Sequence, residues 1–258
     1  MNDLSLKINK IVLEVEGTKV NALQFIPNKD SGKALATFTH GFTSSKYSIL
    51  TWAQRMSDEG IPAIIFDQPG HFLGSFHDVS DFETFTNHAP RLFDEAIKLH
   101  QKSVSNFEER TLIFGGHSLG ALTSLIHLEN HQYTNNLFCI GVGFGFPPSG
   151  VTHIFQTPLF KATIDMRRQL VSEHLDPDIT FPWIKERKEN LQISNTRIHL
   201  ITGEDDAIVG KTGSELLKDE LLRLENDVSL DKPSKLSHHQ PEAAAVHIKK
   251  FLKSEGII

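Results

Sequence analysis

A serine hydroxyl becomes a competent nucleophile when a base takes its proton and a third group orients that base. This chain carries the three residue types in one order. Gly116-His117-Ser118-Leu119-Gly120 reads G-x-S-x-G and lies between the apolar run Leu112-Ile113-Phe114 and a helical pattern over about 121–130. A turn from strand to helix forces its serine into strained backbone geometry, and small flanking residues avoid collisions there. It leaves the hydroxyl at a helix N-terminus, where developing negative charge is favoured. The bland alternative is a glycine-rich turn whose serine caps the helix. Downstream, the apolar stretch 198–202 leads into Gly203-Glu204-Asp205-Asp206, where three carboxylates compete to be the orienting acid. Two of them are expected to be solvated turn residues. Near the C-terminus, Ser237-His238-His239-Gln240-Pro241 sets two histidines just before a closing helix. One is expected to be the base, and the other a surface residue capping that helix.

These residues need a frame that brings residues 118, about 205 and about 238 together. Segments 11–15 and 20–25 flank Glu16-Gly17-Thr18-Lys19 and predict an opening hairpin. Short apolar runs at 34–39, 62–66, 112–114, 137–146 and 198–202 predict strands, with a final one at 228–230. Between them, 48–59, 81–101, 121–130, 213–224 and 242–252 predict helices. Phe85, Ala89, Leu92, Phe93, Ala96 and Leu99 fall on one broad face of the second. Near-continuous apolar strands separated by helices imply a mainly parallel sheet covered on both faces, an α/β class. Residues 147–195 break the rhythm. They contain Phe155, Leu159, Phe160, Ile164, Met166, Trp183 and Ile184 with five prolines and no convincing central strand. We read them as a small helical cap inserted in one domain spanning 1–258, rather than as ordinary surface helices, since long irregular stretches in compact domains are usually functional or disordered.

Composition narrows the classes. The 258 residues suit one large α/β domain, and 39% hydrophobic with 22% charged residues is an ordinary globular balance. The formal charge of −6 gives no electrostatic case for nucleic acid or an anionic membrane as partner. Cys139 is the single cysteine and sits in an apolar run, so a buried strand thiol is expected. The N-terminus MNDLSLKINK has no apolar signal segment, and no run approaches the length of a membrane helix, so a cytoplasmic location is the default expectation. His127 and His131 lie i, i+4 on a helix, a spacing able to bind a metal, but no third ligand is evident and none is expected. No phosphate-binding glycine motif occurs, and no cofactor is expected.

The ordered set His40-Gly41-Phe42-Thr43, Phe66-Asp67-Gln68-Pro69-Gly70-His71, the Ser118 turn, 203–209 and the terminal histidine resembles the α/β-hydrolase superfamily. Within it the chain is similar to the esterase and serine-aminopeptidase-like branch that includes cinnamoyl and feruloyl esterases. The resemblance covers nearly the whole chain, and Ser, Asp, His is the order of that fold. It implies the α/β-hydrolase fold and Ser118 as nucleophile. It favours Asp206 as acid, three residues after Gly203 and three before the apolar Val209, with Asp205 as fallback. It favours His238, after the small Ser237, as base, with His239 as rival. The implied oxyanion donors are the backbone N–H groups of Phe42 and Leu119. His40 and Asp67 are implied to brace loops. The chain departs from the family's G-H-G-x-S loop at Phe72, a change expected to alter that loop and narrow the site.

The expected activity is two-step cleavage of a small to medium carboxylic ester through an acyl-enzyme, with a small-molecule substrate and homo-oligomerisation left open. A thioesterase, a small amide or peptide hydrolase, and a ligand sensor on a hydrolase scaffold are the alternatives. Haloalkane dehalogenase and epoxide hydrolase chemistry is disfavoured, because those enzymes use an aspartate where this chain has Ser118.

Overall fold

Apolar runs alternate with amphipathic segments along the chain, and the computed structural model turns that alternation into layers. It describes residues 6–147, 150–151 and 157–258. Of the apolar residues named above within 147–195, Phe155 lies outside the described residues, as do the side chains of Leu159 and Phe160.

The described strands are β1 (Leu6–Val15), β2 (Thr18–Pro27), β3 (Ala34–Thr39), β4 (Ala63–Phe66), β5 (Thr111–His117), β6 (Leu137–Val142), β7 (Arg197–Ile201) and β8 (Asp227–Asp231). They form one sheet in the order β1-β2-β4-β3-β5-β6-β7-β8. The β1/β2 hairpin and the β2/β4 pair are antiparallel, and every pair from β4 to β8 is parallel. The helices are α1 (Leu50–Asp58), α2 (Phe82–Ser103), α3 (Leu119–Glu129), α4 (Pro158–Lys161), α5 (Ile164–Arg168), α6 (Pro177–Glu189), α7 (Gly213–Arg223) and α8 (Ala245–Ser254).

Strand side chains alternate between faces, so a sheet covered on both sides needs apolar residues at every position. Strands β4 and β5 show this. Ile64, Phe66, Leu112 and Phe114 join the core under α2, α3 and α7, whereas Ala63, Ile65 and Ile113 join the core under α1 and α8. On α2, Phe85, Ala89, Leu92, Phe93 and Ala96 are buried, as the periodicity predicts. Cys139 is buried in β6, and burial pushes its thiol up to about 12.

Helices α4, α5 and α6 lie between β6 and β7, and among the described residues that interval adds no strand to the sheet. It is tied back to the loop after β4 by an isolated antiparallel bridge between His71 and Val171. Phe72 N–H donates to Leu170 O at 2.9 Å and Ser172 N–H to Gly70 O at 2.8 Å. The departure from the family pattern at Phe72 therefore sits in a loop paired with the α5–α6 segment. Among the described residues Phe72 itself lines neither cavity beside Ser118. No helix among the described residues is long and apolar enough to cross a membrane.

Candidate active site

The parallel strands β3, β5, β6 and β7 end together, and the loops leaving those ends carry Phe42, Ser118, Gly143 and Asp206. Open α/β sheets place their ligand crevice at such carboxyl ends. Strand β5 runs on through Gly115 and Gly116 because no side chain fits there. A Cβ on Gly115 would lie 2.2 Å from Ile140 O, and one on Gly116 would lie 2.5 Å from Thr39 O. Ser118 then turns the chain with φ 52° and ψ −110°, a left-handed conformation that costs free energy in a residue with a side chain. Its N–H donates to Val142 O at 2.8 Å, and its carbonyl accepts from Ala121 N at 3.0 Å. Gly120 completes the turn, since a Cβ there would stand 2.5 Å from Thr39 O. The Ser118 hydroxyl lies on a cavity wall and makes no hydrogen bond among the described residues.

The loop after β7 presents Asp206, which is 3% exposed. Its Oδ1 accepts the N–H groups of Ile208 at 2.9 Å and Val209 at 3.0 Å, and its Oδ2 stands 2.8 Å from His238 Nδ1. Burial alone would raise its pKa. The bonds from His238 and the two backbone N–H groups outweigh burial and hold it below the ordinary value, so the group stays a carboxylate. Asp205 turns away and accepts Leu236 N–H at 3.0 Å, a tie to the loop that carries His238. Glu204 is exposed. The structure thus brings Ser118, His238 and Asp206 to one place. His239 also lines the cavity, with its ring 5.8 Å from that of His238, but it is His238 that meets Asp206.

Behind His238 lies His117, ring to ring at 4.7 Å. It is packed so closely that a Cβ on Gly41 would be 2.7 Å from its Nδ1. Burial first, then the neighbouring His238, drives its pKa well below 6.5, so it is neutral. Gly143 passes the same pair with φ +58°, and a Cβ there would lie 3.1 Å from both His117 Nε2 and His238 Nδ1.

The loop after β3 carries Phe42, whose N–H was expected to serve as a donor beside that of Leu119, the first residue of α3. Thr43 holds a left-handed φ of 55°. His40 and Asp67 brace this loop. His40 Nε2 accepts Gln68 N–H at 2.9 Å, and its Nδ1–H donates to Gly41 O at 2.8 Å. That pattern requires neutral imidazole, in keeping with a pKa brought down to about 3 by burial. Asp67 accepts Lys46 N–H at 2.8 Å and the Lys46 ammonium at 2.6 Å, a buried ion pair. Burial raises the Asp67 pKa against the opposing pull of Lys46.

Two cavities meet at Phe42, Ser118, Phe181, Ile208 and His238. The larger, about 170 Å³, continues past Thr43, Ser44, Ser48, Arg167 and His239. The smaller, about 60 Å³, continues past Leu119, Phe144, Ile184 and Lys188. Phe181 packs edge-on against Phe42 at 5.3 Å. Arg167 reaches across from α5 and donates to Thr43 Oγ1 at 2.6 Å. Phe181, Arg167, His117 and Gly143 are site residues that sequence reasoning did not select. Trp183, which it did name, packs instead on Phe82 and Phe85 of α2, at 5.7 and 6.1 Å. His127 and His131 lie elsewhere, against Tyr133, with His127 Nε2 3.2 Å from the tyrosine hydroxyl.

No family model and no curated protein sequence matches the chain. Solved structures do. A cold-adapted esterase from an Arctic intertidal metagenomic library is 16% identical over 98% of this chain and 96% of its own, with a TM-score of 0.61. An epoxide hydrolase from Vigna radiata is 17% identical over 96% and 98%, also at 0.61. A soluble variant of monoglyceride lipase from Saccharomyces cerevisiae is 12% identical over 98% and 96%, at 0.65. At such identities the likeness is one of fold, and these three differ in what they act on.

Proposed function

We propose that this chain, which has the α/β-hydrolase fold, is a serine hydrolase that cleaves a small to medium carboxylic ester. The observation that carries the reading is Ser118, held in a left-handed turn on the wall of a cavity that it shares with a histidine whose far nitrogen is bonded to a buried carboxylate. In this reading Asp206 accepts the Nδ1–H of His238, which leaves the Nε2 lone pair to take the Ser118 proton. The serine bond to His238 forms as substrate binds, since such hydrogen bonds are often loose in unliganded sites. Ser118 Oγ attacks the ester carbonyl, and the N–H groups of Phe42 and Leu119 stabilise the oxyanion. His238 returns the proton to the leaving alcohol. Water, deprotonated by His238, then releases the acid and restores Ser118.

An epoxide hydrolase shares the fold, but the elbow here holds Ser118, and serine supports acyl transfer. The same machinery can open thioesters and activated amides, so ester preference rests on the apolar lining around Phe42, Phe144, Phe181 and Ile184. In this reading residues 147–195 form an inserted cap, supported by the contributions of α5 and α6 to the cavity walls. The test is turnover of matched oxygen esters, thioesters and anilides by the wild type and Ser118→Ala. Ester turnover lost in the folded variant upholds the reading. Activity retained by Ser118→Ala overturns it.

A further inference from the structure

We propose that the ester cleaved at Ser118 is an anion whose carboxylate is held by Arg167 in the larger cavity; this rests on the hydrolase reading above. The chain carries 32 acidic against 26 basic residues. A wall of average composition would hold slightly more acids than bases. Among the described residues the two cavities are lined by Arg167, Lys185 and Lys188 and by no aspartate or glutamate. Asp206 stands behind His238, and its oxygens are taken by Ile208, Val209 and His238.

The three cations are not equivalent. Lys185 pairs with Glu189 at 3.2 Å. Lys188 donates to Gly145 O at 2.5 Å, and burial brings its pKa down to about 8, so it stays mostly charged at pH 7 and loses its charge as pH rises through that value. A guanidinium has no such escape, because it does not deprotonate in proteins. Arg167 is partly desolvated, which pulls its pKa down from the ordinary value. The polar groups that share its wall include the neutral hydroxyls of Thr43, Ser44 and Ser48. The planar fork of arginine suits a carboxylate, and about 170 Å³ admits one with a few carbons.

A plainer role is visible in the bond from Arg167 to Thr43 Oγ1, which ties α5 to the loop bearing Phe42. That bond, with the one from Arg167 Nε to Thr163 Oγ1 at 3.3 Å, is part of what holds the guanidinium in place. It does not account for the lack of aspartate and glutamate among the described residues of both walls. The two roles separate by readout. Loss of a clamp lowers turnover of every substrate alike, whereas loss of a carboxylate site changes the ratio between charged and neutral substrates.

The experiment measures kcat/KM of the full chain on two matched pairs. The acyl pair is 4-nitrophenyl hydrogen adipate and its methyl ester. The alcohol pair is the butyrate ester of 4-hydroxybenzoate and that of methyl 4-hydroxybenzoate. The charged member is expected to be preferred by about tenfold or more in at least one pair, the scale of one charge-assisted bond, and the preference is expected to shrink with added salt. Arg167→Met erases it, Arg167→Lys keeps part of it, and Thr43→Ala, which removes the clamp bond but not the charge, retains it. Fluorophosphonate labelling of each variant checks that the site is assembled. Neutral esters turned over with no charge preference, or a preference unchanged in Arg167→Met, overturn the proposal and leave the hydrolase reading standing. No labelling and no turnover of any of the four esters overturns both.

Discussion

Asp206→Asn tests the geometry more sharply than a deletion, because the substitution keeps shape and changes one atom. Asp206 Oδ1 is committed to the N–H groups of Ile208 and Val209 at 2.9 and 3.0 Å. An asparagine must keep its carbonyl oxygen there, since two donors cannot face an NH₂ group. The NH₂ group then replaces Oδ2, 2.8 Å from His238 Nδ1. A donor at that position holds Nδ1 as an acceptor and puts the imidazole proton on Nε2, where it blocks removal of the Ser118 proton. The loss expected from a reversed tautomer is about 10⁴-fold in kcat, with little change in KM. Asp205→Asn is the internal control. Its side-chain oxygen still accepts Leu236 N–H, so the expected cost is about 0.5–1.5 kcal/mol of stability and less than tenfold in kcat. The assay is steady-state hydrolysis of 4-nitrophenyl butyrate, with thermal melts to show that both variants fold. Asp206→Asn retaining a tenth of wild-type kcat, or Asp205→Asn being the more damaging, would refute the assignment.

Lys46→Met leaves the Asp67 carboxylate buried without its ammonium partner, and urea melts are expected to show a loss of about 3–5 kcal/mol. Acidification is expected to destabilise the fold. Burial lowers His40 and His71 to about 3, and His100, His127 and His199 to about 4, from an ordinary 6.5. Between those values the unfolded chain binds more protons than the folded one, so stability is full above about pH 6.5 and falls as pH drops, by up to about 1.4 kcal/mol per unit for each histidine. Melts in that window check the slope, and His100→Gln, far from the cavities, should make it shallower. Phe181→Ala is expected to reorder kcat/KM among acetyl, butyryl and octanoyl esters, because Phe181 lines both cavities and each methylene is worth about 1–3 kcal/mol in such a pocket. Trp183→Ala, which loses packing on α2, should lower Tm and leave the order unchanged.

The sheet was legible because burial on both faces demands continuous apolar runs, and 34–39 predicts β3 to the residue. Strand β5 extends three residues past Phe114. Glycine is read from sequence as a turn signal, whereas here Gly115 and Gly116 serve close backbone approach inside a strand. Strand β1 begins five residues before the predicted start, since exposed Lys7 and Lys10 break the apolar pattern while the ladder to β2 still pairs them. At the candidate site, the G-x-S-x-G turn between strand and helix, with acids and histidines downstream of it, was visible in the sequence. The residues themselves left Asp205 and Asp206 undecided, and only the family resemblance favoured Asp206, because the Leu236 N–H that occupies Asp205 arrives only when the chain folds. Arg167 and Phe181 were illegible for a related reason. Their helices are placed by tertiary packing, and nothing local shows which face meets Ser118. Trp183, two residues from Phe181, turns to α2 instead.

The most direct test of the central claim is to treat the wild type with a fluorophosphonate and map the adduct by peptide mass spectrometry. A single stoichiometric adduct on Ser118, formed together with loss of ester hydrolysis and absent from Ser118→Ala, is the predicted result. An adduct on another residue, or full inhibition with Ser118 unmodified, would contradict the assignment of Ser118 as the nucleophile.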